Sequence, residues 1–189
     1  MIKSSDLDPN FKYEISNEPG GENIKKCFNC TGCTVGCPLA EIDKSYNPRI
    51  ILRKALLGMR KEVLTDDSLW LCASCYICYE RCPQDVKITE VIGAIRAIAQ
   101  REAKAGKIKI TNDKPLFDHL FIDSVKSNGK WYEAGVSGTF MLKTKGIGGA
   151  IGYAPMGLEL FKKGKLSILP HKIKGTKEIK RIFEEVEKK

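Results

Sequence analysis

Apolar residues recur along this chain mainly at intervals of three and four, and two-residue alternation is scarce, so helices are expected and strands are not. Asn47-Pro48 reads as a cap followed by proline at the first helical position. Leu52, Ala55, Leu56, Met59 and Val63 then share one face. Arg49, Arg53, Lys54, Arg60 and Lys61 occupy much of the remainder, as on a solvated face. Thr65-Asp66-Asp67 marks a further start, leading through Trp70, which is expected to be core or shielding. The clearest stripe follows Pro83: Ile88, Val91, Ile92, Ile95, Ile98 and Ala99, with Thr89 as the expected cap and Gly106 as the stop. Another helix is predicted from about Pro115 to Lys126, carrying Leu116, Phe117, Leu120, Phe121 and Val125, and closed by Asn128-Gly129. His119, beside that stripe, is read as structural.

The flanks are less regular. Residues 1–26 are polar, with Pro9, Pro19 and Gly20-Gly21, and are expected to be a loosely structured lead-in. Gly146, Gly148, Gly149 and Gly152 lack the spacing and the lysine of a phosphate cradle and read as a flexible connector. Pro155 to Lys163 is predicted as a short helix closed by Gly164. Thr176 is expected to cap a final amphipathic helix through Ile179, Ile182, Phe183 and Val186, which docks a partner or packs back on the core.

Composition changes this picture little. Of the 189 residues, 42% are hydrophobic and 29% charged, which permits one core and argues for a soluble protein. No apolar run is long enough to span a bilayer. The net charge of +9 is uneven: residues 1–142 hold 20 Lys+Arg against 18 Asp+Glu, and residues 143–189 hold 12 against 5. A basic arm of this kind can meet an acidic protein surface or simply serve solubility, and the few aromatics interleaved with its charges argue against nucleic acid. Met1 to Lys26 has no apolar core of a signal peptide, so a cytoplasmic location is expected.

The eight cysteines carry the candidate chemistry. They fall in two runs of identical spacing, C-x2-C-x2-C-x3-C-P: Cys27, Cys30, Cys33 and Cys37, then Cys72, Cys75, Cys78 and Cys82. This is the run that binds [4Fe–4S] clusters, with the fourth cysteine serving the other cluster when two are present. Three closely spaced thiolates wrap three iron corners of one cube, and the fourth follows where the chain is leaving it. The following proline disfavours a helical cysteine there. The expected ligand sets are therefore crossed: Cys27, Cys30, Cys33 and Cys82 for one cluster, and Cys72, Cys75, Cys78 and Cys37 for the other. The arrangement is that of a mainly α, α-helical ferredoxin core with two [4Fe–4S] clusters and an extended basic C-terminal arm.

Two zinc sites would also consume eight cysteines, but four-cysteine zinc sites more often split into separated C-x2-C pairs. If all eight are ligands, no thiol remains for covalent chemistry. The two histidines, His119 and His171, suggest no catalytic triad, and no flavin or nicotinamide fingerprint is evident. No catalytic residue is therefore expected on this chain; it moves electrons. The first run contains glycines and the second contains Tyr76, Ile77 and Tyr79, so unequal cluster potentials are expected.

The two runs, separated by 35 residues from Cys37 to Cys72 with a helix between them, together with the chain length and the region from Phe117 to Glu133 into the basic arm, resemble the iron–sulfur (C) subunit of heterodisulfide reductase. That resemblance implies the non-catalytic electron-transfer subunit of an oxidoreductase complex active in methanogenesis. It would pass electrons from the flavin (A) subunit to the catalytic (B) subunit, which reduces the coenzyme M–coenzyme B heterodisulfide. An associated hydrogenase or formate dehydrogenase is a further candidate partner. The Cys-Cys-Gly mark of the disulfide-reducing subunit is absent. Iron–sulfur subunits of glycolate and glycerol-3-phosphate dehydrogenases share the motifs and give the alternative reading; a zinc-stabilised binding module is a second. The implied organisation is a polar lead-in over 1–21, the two-cluster domain over 22–130 and a basic arm with a terminal amphipathic helix over 131–189.

Overall fold

A computed structural model describes residues 6–167 and 169–188. Among them the regular structure is helical and no strand occurs, as the apolar periodicity leads one to expect. The chain forms two compact units, Met1–Asn112 and Asp113–Lys189.

The first unit is built round α7 (Ile88–Lys104), whose stripe of Ile88, Val91, Ile92, Ile95, Ile98 and Ala99 is buried. Fully burying each large aliphatic side chain contributes about 1.5–3 kcal/mol. Gly106, at φ +71°, lies just past its end, as expected. Thr89 is not its cap. Lys87 holds that position in a left-handed conformation, and Thr89 is the second helical residue, buried and bonded to a cysteine.

Against this stripe pack α1 (Phe11–Asn17), α5 (Arg60–Leu64) and a 3-10 turn over Asp67–Leu71, and α4 (Pro48–Leu56) joins the same core against α1 and α5. The N-terminal segment departs from the loose lead-in expected of it. Phe11, Ile15 and Ile24 are fully buried, and Glu14 on α1 receives Arg60 Nη1 at 2.6 Å. Arg60 also pairs with Glu102 of α7 and lies 5.2 Å from the Phe11 ring centre, fastening three helices together.

The Asn47 side chain accepts from Ile50 N at 3.2 Å, and Pro48 takes the first helical position of α4, both as expected. The single helical face from Leu52 to Val63 is interrupted, however. Gly58 adopts φ +79°, and its carbonyl accepts from Asp8 N at 2.8 Å. A methyl group there would sit 2.4 Å from the Asp8 carbonyl oxygen. The chain therefore turns at Gly58 and restarts as α5. Asp66 caps the next turn, accepting from Ser68 N at 2.9 Å, and Trp70 is buried in the core beneath Arg96.

The second unit holds α8 (Lys114–Asn128), α9 (Glu133–Lys162) and α10 (Thr176–Glu187). Phe117, Phe121, Trp131 and Phe140 form its aromatic contact, with ring centres 5.0–5.7 Å apart. Gly129 ends α8 at φ +78°, and α10 packs on α8, with Lys126 bonded to Glu187 at 2.8 Å. Ile182 and Val186 of α10 remain 59% and 67% exposed, so this contact covers only part of its apolar stripe. The expected connector at the glycines is instead helical on both sides of one break, at Gly146 (φ 66°, ψ −169°). Thr176 begins α10 but does not cap it; its hydroxyl donates to Ile173 O at 2.6 Å.

Candidate iron–sulfur centre

The two cysteine loops share one backbone design. In Cys27–Cys33, Asn29 and Thr31 have φ of 68° and 72°; in Cys72–Cys78, Ser74 and Tyr76 at the same two places have 52° and 63°. None is glycine, and left-handed geometry in a β-branched threonine is rare. Such strain collects at functional sites. Loops with interspersed left-handed residues form N–H nests that hold anions, iron–sulfur clusters among them. Each loop then closes with one helical turn, α2 (Gly32–Val35) or α6 (Ile77–Glu80). The bonds Thr34 N to Thr31 O and Cys37 N to Thr34 O recur as Tyr79 N to Tyr76 O and Cys82 N to Tyr79 O. Cys37 itself is extended (φ −86°, ψ 115°), and the short helix α3 (Pro38–Ile42) follows it.

The loops frame two concavities. One is lined by Cys27, Cys30, Cys33 and Cys82, and the other by Cys37, Cys72, Cys75 and Cys78. Each takes three cysteines from one run and the last from the other. Among the described residues, no three or more His, Cys, Asp or Glu side chains gather closely enough to share a single metal ion. A larger body with several soft corners suits the spread donor set, and a four-iron cube has that form.

Two helix starts meet at this place. Pro48 lines the second concavity and Arg49 the first; Ile88 lines the first and Thr89 the second. The N-terminal ends of α4 and α7 thus bring partial positive charge to a site that would carry negative charge. Two hydrogen bonds reach sulfur: Val86 N donates to Cys82 Sγ at 3.4 Å, and Cys78 Sγ and the Thr89 hydroxyl share one at 3.4 Å in which either can donate. Thr34 donates to Asn47 Oδ1 at 2.8 Å, tying α2 to the cap of α4. Arg96 fixes the start of the second loop, with Nε on Leu69 O at 2.9 Å and Nη2 on Cys72 O at 3.0 Å.

Burial pushes the Cys33 thiol up to about 11, against the hydrogen bond from Thr34, and neighbouring cysteines add to the rise. Cys78 is raised in the same way, chiefly by burial. Burial, then its hydrogen bond with Cys72, lifts the Tyr46 phenol far above its ordinary range. Raised in this way, both thiols stay protonated at neutral pH, and ligation would release their protons. The buried side-chain polar atoms that lack a partner among the described residues are Asn29 Oδ1 and Arg49 Nε, and both residues line the first concavity. Orphaned polar atoms of this kind mark a place where a further group binds. The donor set, the concavities and the orphaned atoms all fit a pair of [4Fe–4S] clusters.

Sequence reasoning finds the eight cysteines but misses Arg49, Thr89, Tyr46 and Asn29. Arg49 is read as one of several charges on a solvated face, and Thr89 as a cap. His119 stays on the exposed face of α8, 3.3 Å from Asp123.

A fold and donor set of this kind suit a class of iron–sulfur proteins, and residues 23–86 match the 4Fe-4S dicluster domain. The chain is also similar to the iron–sulfur (C) subunit of the CoB–CoM heterodisulfide reductase of Methanopyrus kandleri, at 40% identity over 57% of this chain and 59% of the relative. The second iron–sulfur (C) subunit of the same enzyme from Methanocaldococcus jannaschii is 40% identical over 60% of this chain and 62% of its own length. The corresponding (C) subunit of the H(2):CoB-CoM heterodisulfide,ferredoxin reductase of Methanothermobacter thermautotrophicus is 40% identical over 56% and 55%. The chain spans roughly three-fifths of the length of these curated relatives. The resemblance to the iron–sulfur (C) subunit of heterodisulfide reductase is established over more than half of the chain. No helix among the described residues is long and apolar enough to cross a membrane.

Proposed function

We propose that the chain is the electron-relay iron–sulfur subunit of a cytoplasmic heterodisulfide reductase complex. In this reading Cys27, Cys30, Cys33 and Cys82 hold one [4Fe–4S] cluster, and Cys37, Cys72, Cys75 and Cys78 hold the other. The observation that carries it is the division of the eight cysteines between two concavities, each drawing on both runs. When bound, each cluster takes up and gives back one electron at a time. The chain's own residues supply the thiolates, the hydrogen bonds from Val86 N and Thr89, and the two helix ends that favour negative charge. With every cysteine engaged, none is left for disulfide exchange, so the bond chemistry belongs to a partner.

The names of the relatives point to a heterodisulfide reductase assembly. In it, electrons come from the flavin (A) subunit. They leave to the catalytic (B) subunit, where the coenzyme M–coenzyme B heterodisulfide is reduced. The basic region over 131–189 docks a partner; exposed apolar side chains on α9, such as Ile147, Ile151 and Met156, are available for it. Tagging the chain in its native host and purifying it without oxygen tests the assignment. The expected companions are one flavin protein and one protein with Cys-Cys-Gly motifs. Companions belonging to a glycolate or glycerol-3-phosphate dehydrogenase would overturn it.

A further inference from the structure

The two halves of the cysteine site differ in charge at one equivalent position. Downstream of each cysteine run a helix starts beside both concavities, α4 beyond α3 after the first run and α7 after the second. Arg49 is the second residue of α4 and lines the first concavity; Thr89 is the second residue of α7 and lines the second. Thr89 meets Cys78, the third cysteine of its own run, at 3.4 Å. Arg49, whose guanidinium Nε is buried, lines the concavity that contains Cys33, the third cysteine of the other run.

The Arg49 Nε is buried and has no hydrogen-bond partner among the described residues. A buried N–H that nothing accepts is costly, and more so on a charged group. An anionic body in the first concavity removes that cost, because cluster sulfurs accept hydrogen bonds. Asn29, the other residue with an orphaned buried atom, lines the same concavity, and turning its amide over presents a second donor. Reduction adds one negative charge to a cluster, and a fixed cation stabilises the more negative state.

We propose that Arg49 sets the potential of the cluster held by Cys27, Cys30, Cys33 and Cys82, making it the higher-potential member of the pair. Thr89 gives the other cluster only a neutral hydroxyl contact. Within the pair, the favoured one-electron transfer oxidises the cluster in the second concavity and reduces that in the first; no bond forms and no proton moves. The inference rests on the reading that both concavities hold [4Fe–4S] clusters.

The test is a redox titration followed by EPR on the full chain, loaded without oxygen and with iron and sulfide counted beforehand. Wild type, Arg49→Gln, Arg49→Lys and Thr89→Val are compared. Arg49→Gln is expected to lower one midpoint only, by at least tenfold in the reduction equilibrium, which is about 59 mV for one electron. Arg49→Lys keeps the charge but not the Nε contact and is expected to fall between. Thr89→Val is expected to move the other centre. Fully loaded Arg49→Gln with both midpoints unchanged, or both shifted equally, overturns the proposal. If Arg49→Gln does not retain both clusters, Arg49→Lys decides: a wild-type midpoint there overturns the Nε contact. A wild-type chain that binds no sulfide is a failure of the cluster reading itself, so the two failures are distinct.

Discussion

Gly58 shows how a single backbone position controls the packing of the N-terminal segment against the turn between α4 and α5. Its positive φ and the 2.4 Å approach to Asp8 O leave no room for a side chain. Gly58→Ala is expected to destabilise the chain by about 2–3 kcal/mol, combining left-handed strain with a backbone clash; urea unfolding measures it, and a loss under about 0.5 kcal/mol would contradict the packing described. At the same scale, the candidate ligands are legible in the sequence because soft thiolates at fixed spacing have few other uses. Arg49 and Thr89 are not. They lie 16 and 11 residues after the third cysteines of their runs, so no common spacing links them, and only the fold makes them equivalent. The left-handed Thr31 and Tyr76 are equally silent, since neither residue type signals that geometry.

Among elements, α1 is the one that sequence periodicity hides. Phe11 and Ile15 are only two apolar positions one turn apart, amid polar residues, too few to register a helical period, yet both are fully buried. Phe11→Ala is expected to cost about 3–5 kcal/mol, the usual range for emptying an aromatic core position. Equilibrium denaturation checks this, and a near-neutral result would return the segment to a peripheral lead-in. The long helices α7 and α8 are legible because their stripes persist for three turns or more. The break at Gly58 is invisible because the helical face itself continues across it. The turn over Asp67–Leu71 adds a pH dependence. Burial pushes the Asp66 carboxyl up, but the Ser68 hydrogen bonds and Lys54 outweigh it and hold the group below its ordinary value. A depressed carboxylate stabilises the fold above its unfolded value, and that contribution is lost as pH falls through the folded one. Asp66→Asn is therefore expected to narrow the stability difference between pH 7 and pH 3, as measured by thermal unfolding at both.

The whole molecule separates its tasks. All eight cysteines and both concavities lie in Met1–Asn112, whereas Asp113–Lys189 carries 15 Lys+Arg against 9 Asp+Glu. A chain ending at Asn112 is expected to keep its full iron and sulfide content; loss of either would show that the second unit is needed to build the site. The mainly helical class is readable from the sequence, because period and composition agree over most of the length. The course of the second unit is less so, since a run of glycines reads as a connector whether or not apolar neighbours carry it into helix. The central claim is that the eight thiolates hold two four-iron clusters, and it is tested most directly by metal and sulfide analysis of the chain purified without oxygen, with EPR after dithionite reduction. About eight irons and eight sulfides per chain, with spin-coupled reduced signals, are the expected result. Two zinc ions and no sulfide would contradict it.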